Sequence, residues 1–261
     1  MFAYDFSQRR ALITGASSGL GRHFALVLAA QGIAGLALAG RNADALEETA
    51  ALVRAAGAGH VVTLQLDVTD AGAVTGGIAQ AASALGGLDL LVNNAGIAET
   101  ARALDTTTDS FDRVLGTNLR GPWLVALEAA RAMLAAGATA NGKGADIVNI
   151  ASILGLRVAN GLAPSGISKA GVIQMTRALA VEWARHGIRV NALAPGYFET
   201  ALNAAHFASE AGQATIKVVP ARRIGQLDEL DAPFLLLASG ASRYLTGTVL
   251  TVDGGHHINP L

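Results

Sequence analysis

Arg10-Ala11-Leu12-Ile13-Thr14-Gly15-Ala16-Ser17-Ser18-Gly19-Leu20-Gly21 is the stretch that decides the architecture of this chain. A short apolar run of strand length enters a turn whose glycines are spaced Gly-x-x-x-Gly-x-Gly, and a helical pattern follows from Leu20 to Ala30. Glycine lets the backbone turn tightly and lets a ligand come close to the main chain, while the first N–H groups of the helix carry partial positive charge. Gly15, Ser17, Ser18, Gly19, Leu20 and Gly21 therefore read as a surface for a pyrophosphate. Taken alone, the same glycines would also suit a plain tight connection.

Outward from this unit, apolar runs alternate with helical patterns to the end of the chain. Strands are predicted near Arg10 to Thr14, Gly35 to Ala39, His60 to Leu66, Leu88 to Asn93, Asp146 to Ala151, Arg189 to Ala194 and Thr248 to Val252. Helices are predicted over Leu20 to Ala30, Ala43 to Ala56, Ala71 to Leu85, from Asp109, over Asn118 to Ala135, Ser165 to Arg185 and Leu227 to Ala238. Repeated βαβ units imply right-handed crossovers and a parallel sheet. The expectation is an α/β, Rossmann-type doubly wound fold: a seven-stranded, mainly parallel sheet with helices on both faces, as a single domain over residues 1–261. Gly137 to Gly144 reads as a flexible turn, and an insertion at about 197–220 breaks the rhythm after the sixth strand. Such an insertion could cover a pocket at the carboxyl ends of the strands.

The bulk properties agree with a large core. The 261 residues are 51% hydrophobic and 15% charged, with 31 glycines and a mean hydropathy of +0.40. A net charge of -1 gives no electrostatic reason to expect nucleic acid or an anionic membrane as a partner. The chain has no cysteine, which excludes disulfides, thiolate nucleophiles and cysteine metal sites, and is compatible with a cytoplasmic location. Met1 to Arg10 has an early acid and no apolar core stretch, so it does not read as a signal peptide. Phe24 to Gly40 is apolar, but Gln31-Gly32 and Gly35 divide it into a helix end and a strand rather than a membrane span.

Chemistry-bearing residues gather where the strands are predicted to end. Asp67-Val68 closes the third strand, Asn93-Asn94-Ala95-Gly96 the fourth and Ser152 the fifth, and Pro195-Gly196-Tyr197-Phe198-Glu199-Thr200 follows the sixth. Thirteen positions after Ser152 stands Ser165, followed at the helical i+4 position by Lys169, and Thr117-Asn118-Leu119 precedes a long helix. With Leu245-Thr246-Gly247 and Val252-Asp253-Gly254-Gly255 near the end, this order of motifs resembles the short-chain dehydrogenase/reductase family over nearly the whole chain. That family carries Tyr-x-x-x-Lys where this chain carries Ser165-x-x-x-Lys169.

The resemblance implies a hydride-transfer enzyme using NAD or NADP. It implies that Asp67 and Val68 meet the adenine, that Asn94, Ala95 and Gly96 pass the adenosine ribose, and that Pro195, Gly196, the Phe198 backbone and Thr200 hold the nicotinamide end. Asp67 would equally form a turn, and Asn93-Asn94 a side-chain-capped turn. Ser152 would hold a substrate carbonyl, Lys169 would bond the nicotinamide ribose, and Asn118 would bend its helix and hold a water; as plain alternatives, Ser152 is a cap and Asn118 an N-cap. At the end of the second strand the family's NAD users carry an acid, whereas this chain has Gly40 followed by Arg41. Arg41, with Ser17 and Ser18, suits a 2′-phosphate, which favours NADP and leaves NAD possible. A solvated arginine is the alternative.

A serine hydroxyl is a weaker acid than a phenol and lacks the ring that carries the oxygen forward. Three explanations stand for Ser165: a substitution that disables an otherwise furnished enzyme, a naturally inactive nucleotide-binding regulator, or an enzyme drawing its proton from water, Lys169 or Ser168. The substrate side, Ile97 to Thr100, Ile153 to Ala159 and Tyr197 to Pro220, reads as mostly apolar, suiting a ketone, a secondary alcohol or a 3-oxoacyl thioester. Arg157, Arg222 and Arg223 read as solvated, His256 and His257 as a surface tail without a metal, and Trp123 and Trp183 as packing anchors, a subunit contact among the places where they could pack. The family resemblance implies a homotetramer.

Overall fold

A computed structural model of the protein describes residues 4–137, 144–199 and 207–259. Seven strands form one sheet in the order β3-β2-β1-β4-β5-β6-β7, and every neighbouring pair is parallel. The strands are β1 (Arg10–Thr14), β2 (Gly35–Gly40), β3 (His60–Gln65), β4 (Leu90–Asn93), β5 (Ala145–Ile150), β6 (Ile188–Pro195) and β7 (Val249–Val252). The helices are α1 (Gly19–Ala30), α2 (Ala43–Ala55), α3 (Ala71–Leu85), α4 (Thr108–Leu115), α5 (Gly121–Ala135), α6 (Ala163–Trp183), α7 (Glu210–Val218) and α8 (Asp231–Ala238). The expected sheet is therefore present, wholly rather than mainly parallel, with most boundaries displaced by one or two residues. Phe24 to Gly40 is core, as expected, and no helix among the described residues is long and apolar enough to cross a membrane. The interior of the turn from Gly137 to Gly144, Thr200 and residues 201–206 of the insertion lie outside the described residues.

Burial on both faces explains the continuous apolar strands. All residues of β5 and β6 are buried, and two separate clusters cover the sheet. One packs Val125 and Met133 of α5 and Leu179 of α6 against Leu12, Leu91 and Val190. The other packs Phe24 and Leu28 of α1 and Phe234 of α8 against Ile13, Leu38 and Val148, with the Phe24 and Phe234 rings stacked at 4.3 Å.

Capping fixes the helix starts. Asn42 accepts from Ala45 N, Asp70 from Gly72 N and Ala73 N, and Thr107 from Ser110 N. Proline sets three further starts. α6 begins two residues earlier than predicted because Pro164 fits a first turn, where its missing N–H costs nothing. The helix predicted over Leu227 to Ala238 is a 3-10 turn (Leu227–Leu230) followed by α8, which puts Pro233 in a first turn. The long helix predicted from Asn118 starts instead at Gly121, with Pro122 in its first turn, after a π-turn over Gly116–Arg120.

β1 to β3 step outward in one direction and β4 to β7 in the other, so the loops after β1 and β4 diverge. The crevice between them is the topological switch point where ligands bind in open α/β sheets.

Candidate active site

The loop after β1 is held open by its main chain. Gly15 has φ +65°, and a side chain there would press on Ala95 Cα at 2.9 Å. A Cβ at Gly21 would strike the Gly15 carbonyl oxygen, so α1 can approach the loop only with glycine at that position. Across the switch point, Asn94 N donates to Thr14 Oγ1 at 3.0 Å and Asn94 Nδ2 to the Thr14 carbonyl at 3.0 Å. Ser18, at the N-cap of α1, makes no side-chain capping bond, and no acid stands in the first turn. The start of α1 thus retains N–H groups and positive dipole for an anion.

A cavity of about 420 Å³ lies over this loop, and Gly15, Ser17, Ser18, Gly19, Leu20, Gly40, Arg41, Asp67, Val68, Asn94, Ala95 and Gly96 line it. Gly21, also predicted here, packs behind the lining. A dinucleotide fits this trough chemically: bare main chain and a free helix start for phosphates, and an acid and amides for the adenosine. Arg41 is exposed at its edge, and a Cβ at Gly40 would lie 3.6 Å from Ser17 Oγ. An acid at position 40 would therefore project beside Ser17. Asp67 does form a turn, its Oδ1 accepting from Thr69 N at 2.9 Å and Thr69 Oγ1 at 2.8 Å. These two bonds, with a smaller contribution from the Arg41 charge, hold its carboxyl below the usual value.

The four residues predicted for catalysis come from β5, α6 and the π-turn. Asn118 is 1% exposed within the π-turn. Its Oδ1 accepts from Ile97 N at 2.8 Å and its Nδ2 donates to the Ile97 carbonyl at 2.8 Å, which ties the helix bend to the loop after β4. Asn118 thus lies inside the π-turn rather than at a helix start, and the N-cap alternative falls. Lys169 Nζ donates to the Ile150 carbonyl at 2.7 Å, and burial lowers its pKa to about 8. A Cβ on Gly96 would lie 3.3 Å from Asn118 Oδ1 and 3.7 Å from Lys169 Nζ, so glycine lets β4's loop close over both.

Ser152 is a cap: its Oγ accepts from Leu154 N at 3.1 Å, starting a 3-10 turn, while its hydroxyl proton is left to donate. Ser165 lies one turn from Lys169 on α6, 4% exposed, with a hydroxyl that has no hydrogen-bond partner. Ser168, the other hydroxyl considered as a proton source, is fully buried, and its hydroxyl donates to the Ser165 carbonyl at 2.8 Å. Pro195 ends β6, Gly196 N donates to the Val252 carbonyl at 2.9 Å, and buried Phe198 bridges to Gly225.

Other expectations need correction. His256 is not part of a surface tail: it is 5% exposed, its ring 5.5 Å from that of Tyr197, with the Arg157 guanidinium donating to its carbonyl through Nη1. Arg157 is half-buried rather than solvated, while Arg222 and Arg223 are exposed as expected, Arg223 pairing with Glu229 at 2.6 Å. Trp183 packs against the core as expected, whereas Trp123 on α5 is 45% exposed. Within the segment Ile97 to Thr100, Glu99 accepts from Arg113 at 2.7 Å and from Ser110 at 2.6 Å. No spacing signal in the sequence joins Arg157 to His256, 99 positions away. Among the described residues no group of three or more His, Cys, Asp or Glu stands where it could hold a metal ion.

Comparison with known proteins places this geometry among oxidoreductases. A family model described as enoyl-(acyl carrier protein) reductase matches residues 15–257. Gluconate 5-dehydrogenase of Gluconobacter oxydans (strain 621H) is 38% identical over 97% of this chain and 96% of its own. Galactitol 2-dehydrogenase (L-tagatose-forming) of Cereibacter sphaeroides is 40% identical over 95% of this chain and 94% of its own. The crystal structure of a gluconate 5-dehydrogenase from Burkholderia cenocepacia J2315, in complex with NADP and tartrate, has a TM-score of 0.87 and 36% identity over 98% of both chains.

Proposed function

The chain belongs to the short-chain dehydrogenase/reductase family, and from that membership we propose an NADP-dependent oxidoreductase that interconverts a ketone and a secondary alcohol, with its proton transfer weakened at Ser165. The observation that carries this reading is the buried, unpartnered Ser165 hydroxyl beside a site otherwise equipped for redox chemistry. Relatives named for gluconate and galactitol favour a hydroxylated carbon chain as substrate over a 3-oxoacyl thioester.

When bound, the reduced nicotinamide supplies a hydride to the carbonyl carbon. The start of α1 and the Gly15 to Gly21 loop hold the pyrophosphate, and Arg41 with Ser17 and Ser18 receives the 2′-phosphate. Asp67, Val68 and Asn94 to Gly96 line the adenosine side; Pro195, Gly196 and Phe198 border the nicotinamide side. Ser152 donates its hydroxyl proton in a hydrogen bond to the substrate carbonyl. Lys169 is cationic below about pH 8 and acts on whatever acid stands at position 165. Asn118 keeps the Ile97 loop against this lysine. A serine in that place neither reaches the carbonyl as a phenol would nor gives up its proton as readily, so the chemical step loses about 10² to 10⁴ of rate.

The experiment is Ser165→Tyr, assayed for NADPH-dependent ketone reduction. A gain of orders of magnitude supports the reading. No gain with intact NADP binding makes the chain a nucleotide-binding regulator. Half-exposed Trp123 on α5 and exposed Val181 on α6 support assembly as a homotetramer, which sedimentation tests. The absence of cysteine fits a reducing compartment such as the cytoplasm.

A further inference from the structure

Beyond the reaction centre, the ends of β5, β6 and β7 bring three polar side chains together. The register pairs Ile150 of β5 with Leu193 of β6, so two residues on, Ser152 is level with Pro195, and Tyr197 stands two residues past the end of β6. The turn after β7 brings His256 under Tyr197, the rings 5.5 Å apart and inclined at 42°. From the loop five residues after Ser152, Arg157 crosses the end of β6 and donates through Nη1 to the His256 carbonyl. None of the three lines the cavity over the Gly15 loop, and Arg157 and Tyr197 fall in segments read from the sequence as the substrate side.

Two features of this cluster are unspent. His256 Nδ1 is buried and has no hydrogen-bond partner, an exception that a bound group would resolve. Arg157 makes no ion pair with any acid among the described residues, and a guanidinium has donors to spare after one bond. Asp253, the acid whose charge acts on His256, is already engaged: it accepts from Gly255 N at 2.9 Å, from His257 N at 2.6 Å and from His257 Nδ1 at 2.8 Å. Burial, and then the Arg157 charge, hold His256 below its ordinary pKa, so it meets a ligand as a neutral imidazole able to present an N–H.

We propose that Arg157, His256 and Tyr197 form a carboxylate subsite, which selects a polyhydroxy acid over a neutral polyol. The proposal rests on the reductase reading above and names its substrate class. The guanidinium takes the carboxylate by a charge-assisted pair, His256 Nδ1–H and the Tyr197 hydroxyl complete its shell, and the hydroxyl to be oxidised reaches back to Ser152.

Calorimetry on the NADP-saturated protein tests this without requiring turnover, using D-gluconate and sorbitol as probes. Gluconate is expected to bind at least about tenfold more tightly than sorbitol, Arg157→Met to erase that preference, and Arg157→Lys to keep part of it. NADP affinity stays the same in all three proteins. Equal binding of the two probes, binding of neither, or a preference that survives Arg157→Met overturns the subsite. His256→Phe, which keeps the ring contact with Tyr197, must also weaken gluconate and leave sorbitol unchanged; no change in gluconate binding overturns the role of His256. Loss of NADP binding by the unaltered protein is a separate result, and overturns the reductase reading instead.

Discussion

Where β1 and β4 part, the rim of the sheet is built from main chain: glycines at positions 15 and 21, a helix start without a side-chain cap, and an asparagine pinned to Thr14. Where β5, β6 and β7 end, it is built from side chains supplied by segments far apart in the sequence, among them Ser152, Lys169, Tyr197 and His256. A phosphate cradle needs only backbone donors and room, so a few consecutive residues suffice. Proton transfer and substrate choice need particular functional groups at particular distances, which no single segment supplies. On the proposed reading, a change at position 165 should therefore leave the first half intact, while the second half should lose its chemistry to one side chain.

Ser165→Tyr should have the largest effect, raising ketone reduction by about 10² to 10⁴ while NADP affinity in calorimetry stays put. If both moved together, the two halves would not be independent. Gly21→Ala strikes the other half. Its methyl meets the Gly15 carbonyl, so dinucleotide affinity should fall steeply and thermal unfolding should show a loss of about 1–3 kcal/mol. An unchanged melt and affinity would mean that the loop is looser than its geometry.

Between the halves, Asn93 Nδ2 donates to Asn149 Oδ1 at 3.1 Å and Asn149 Nδ2 to Thr176 Oγ1 at 2.9 Å, locking β4 to β5 and to α6. Asn149→Ala removes one bond from each of these buried groups and should cost about 1–3 kcal/mol, read by denaturant unfolding. Gly40→Asp sharpens the cofactor side, placing a carboxylate beside Ser17 and shifting preference from NADP toward NAD by about tenfold. The smallest effect is on pH. Because burial lowers the Lys169 pKa to about 8, its ammonium is present below that value and lost above it. The residual reduction rate should therefore be highest below pH 7 and about half as large near pH 8, whereas a flat profile would remove Lys169 from the proton path.

Much of this was legible in the sequence. The Gly-x-x-x-Gly-x-Gly loop, the strand-ending Asp67 and Asn94, and the i,i+4 pair Ser165 and Lys169 are local patterns, and their placement follows from strand and helix periodicity alone. Proline shifted three helix starts, at Pro122, Pro164 and Pro233, in ways that first-turn geometry explains. The locking of Ser168 to the Ser165 carbonyl was not legible, nor was the hold of Asn118 on Ile97.

By itself, the sequence determined the alternation of strand and helix, the parallel sheet and the glycine cradle, because each depends on residues a turn or a few positions apart. The tertiary structure alone decided that His256 is buried, that Trp123 is left half-exposed, and that Arg157 reaches across a strand end to a residue 99 positions away. Those outcomes depend on where separate loops come to rest once the sheet has closed, and hydrophobic periodicity carries no information about that.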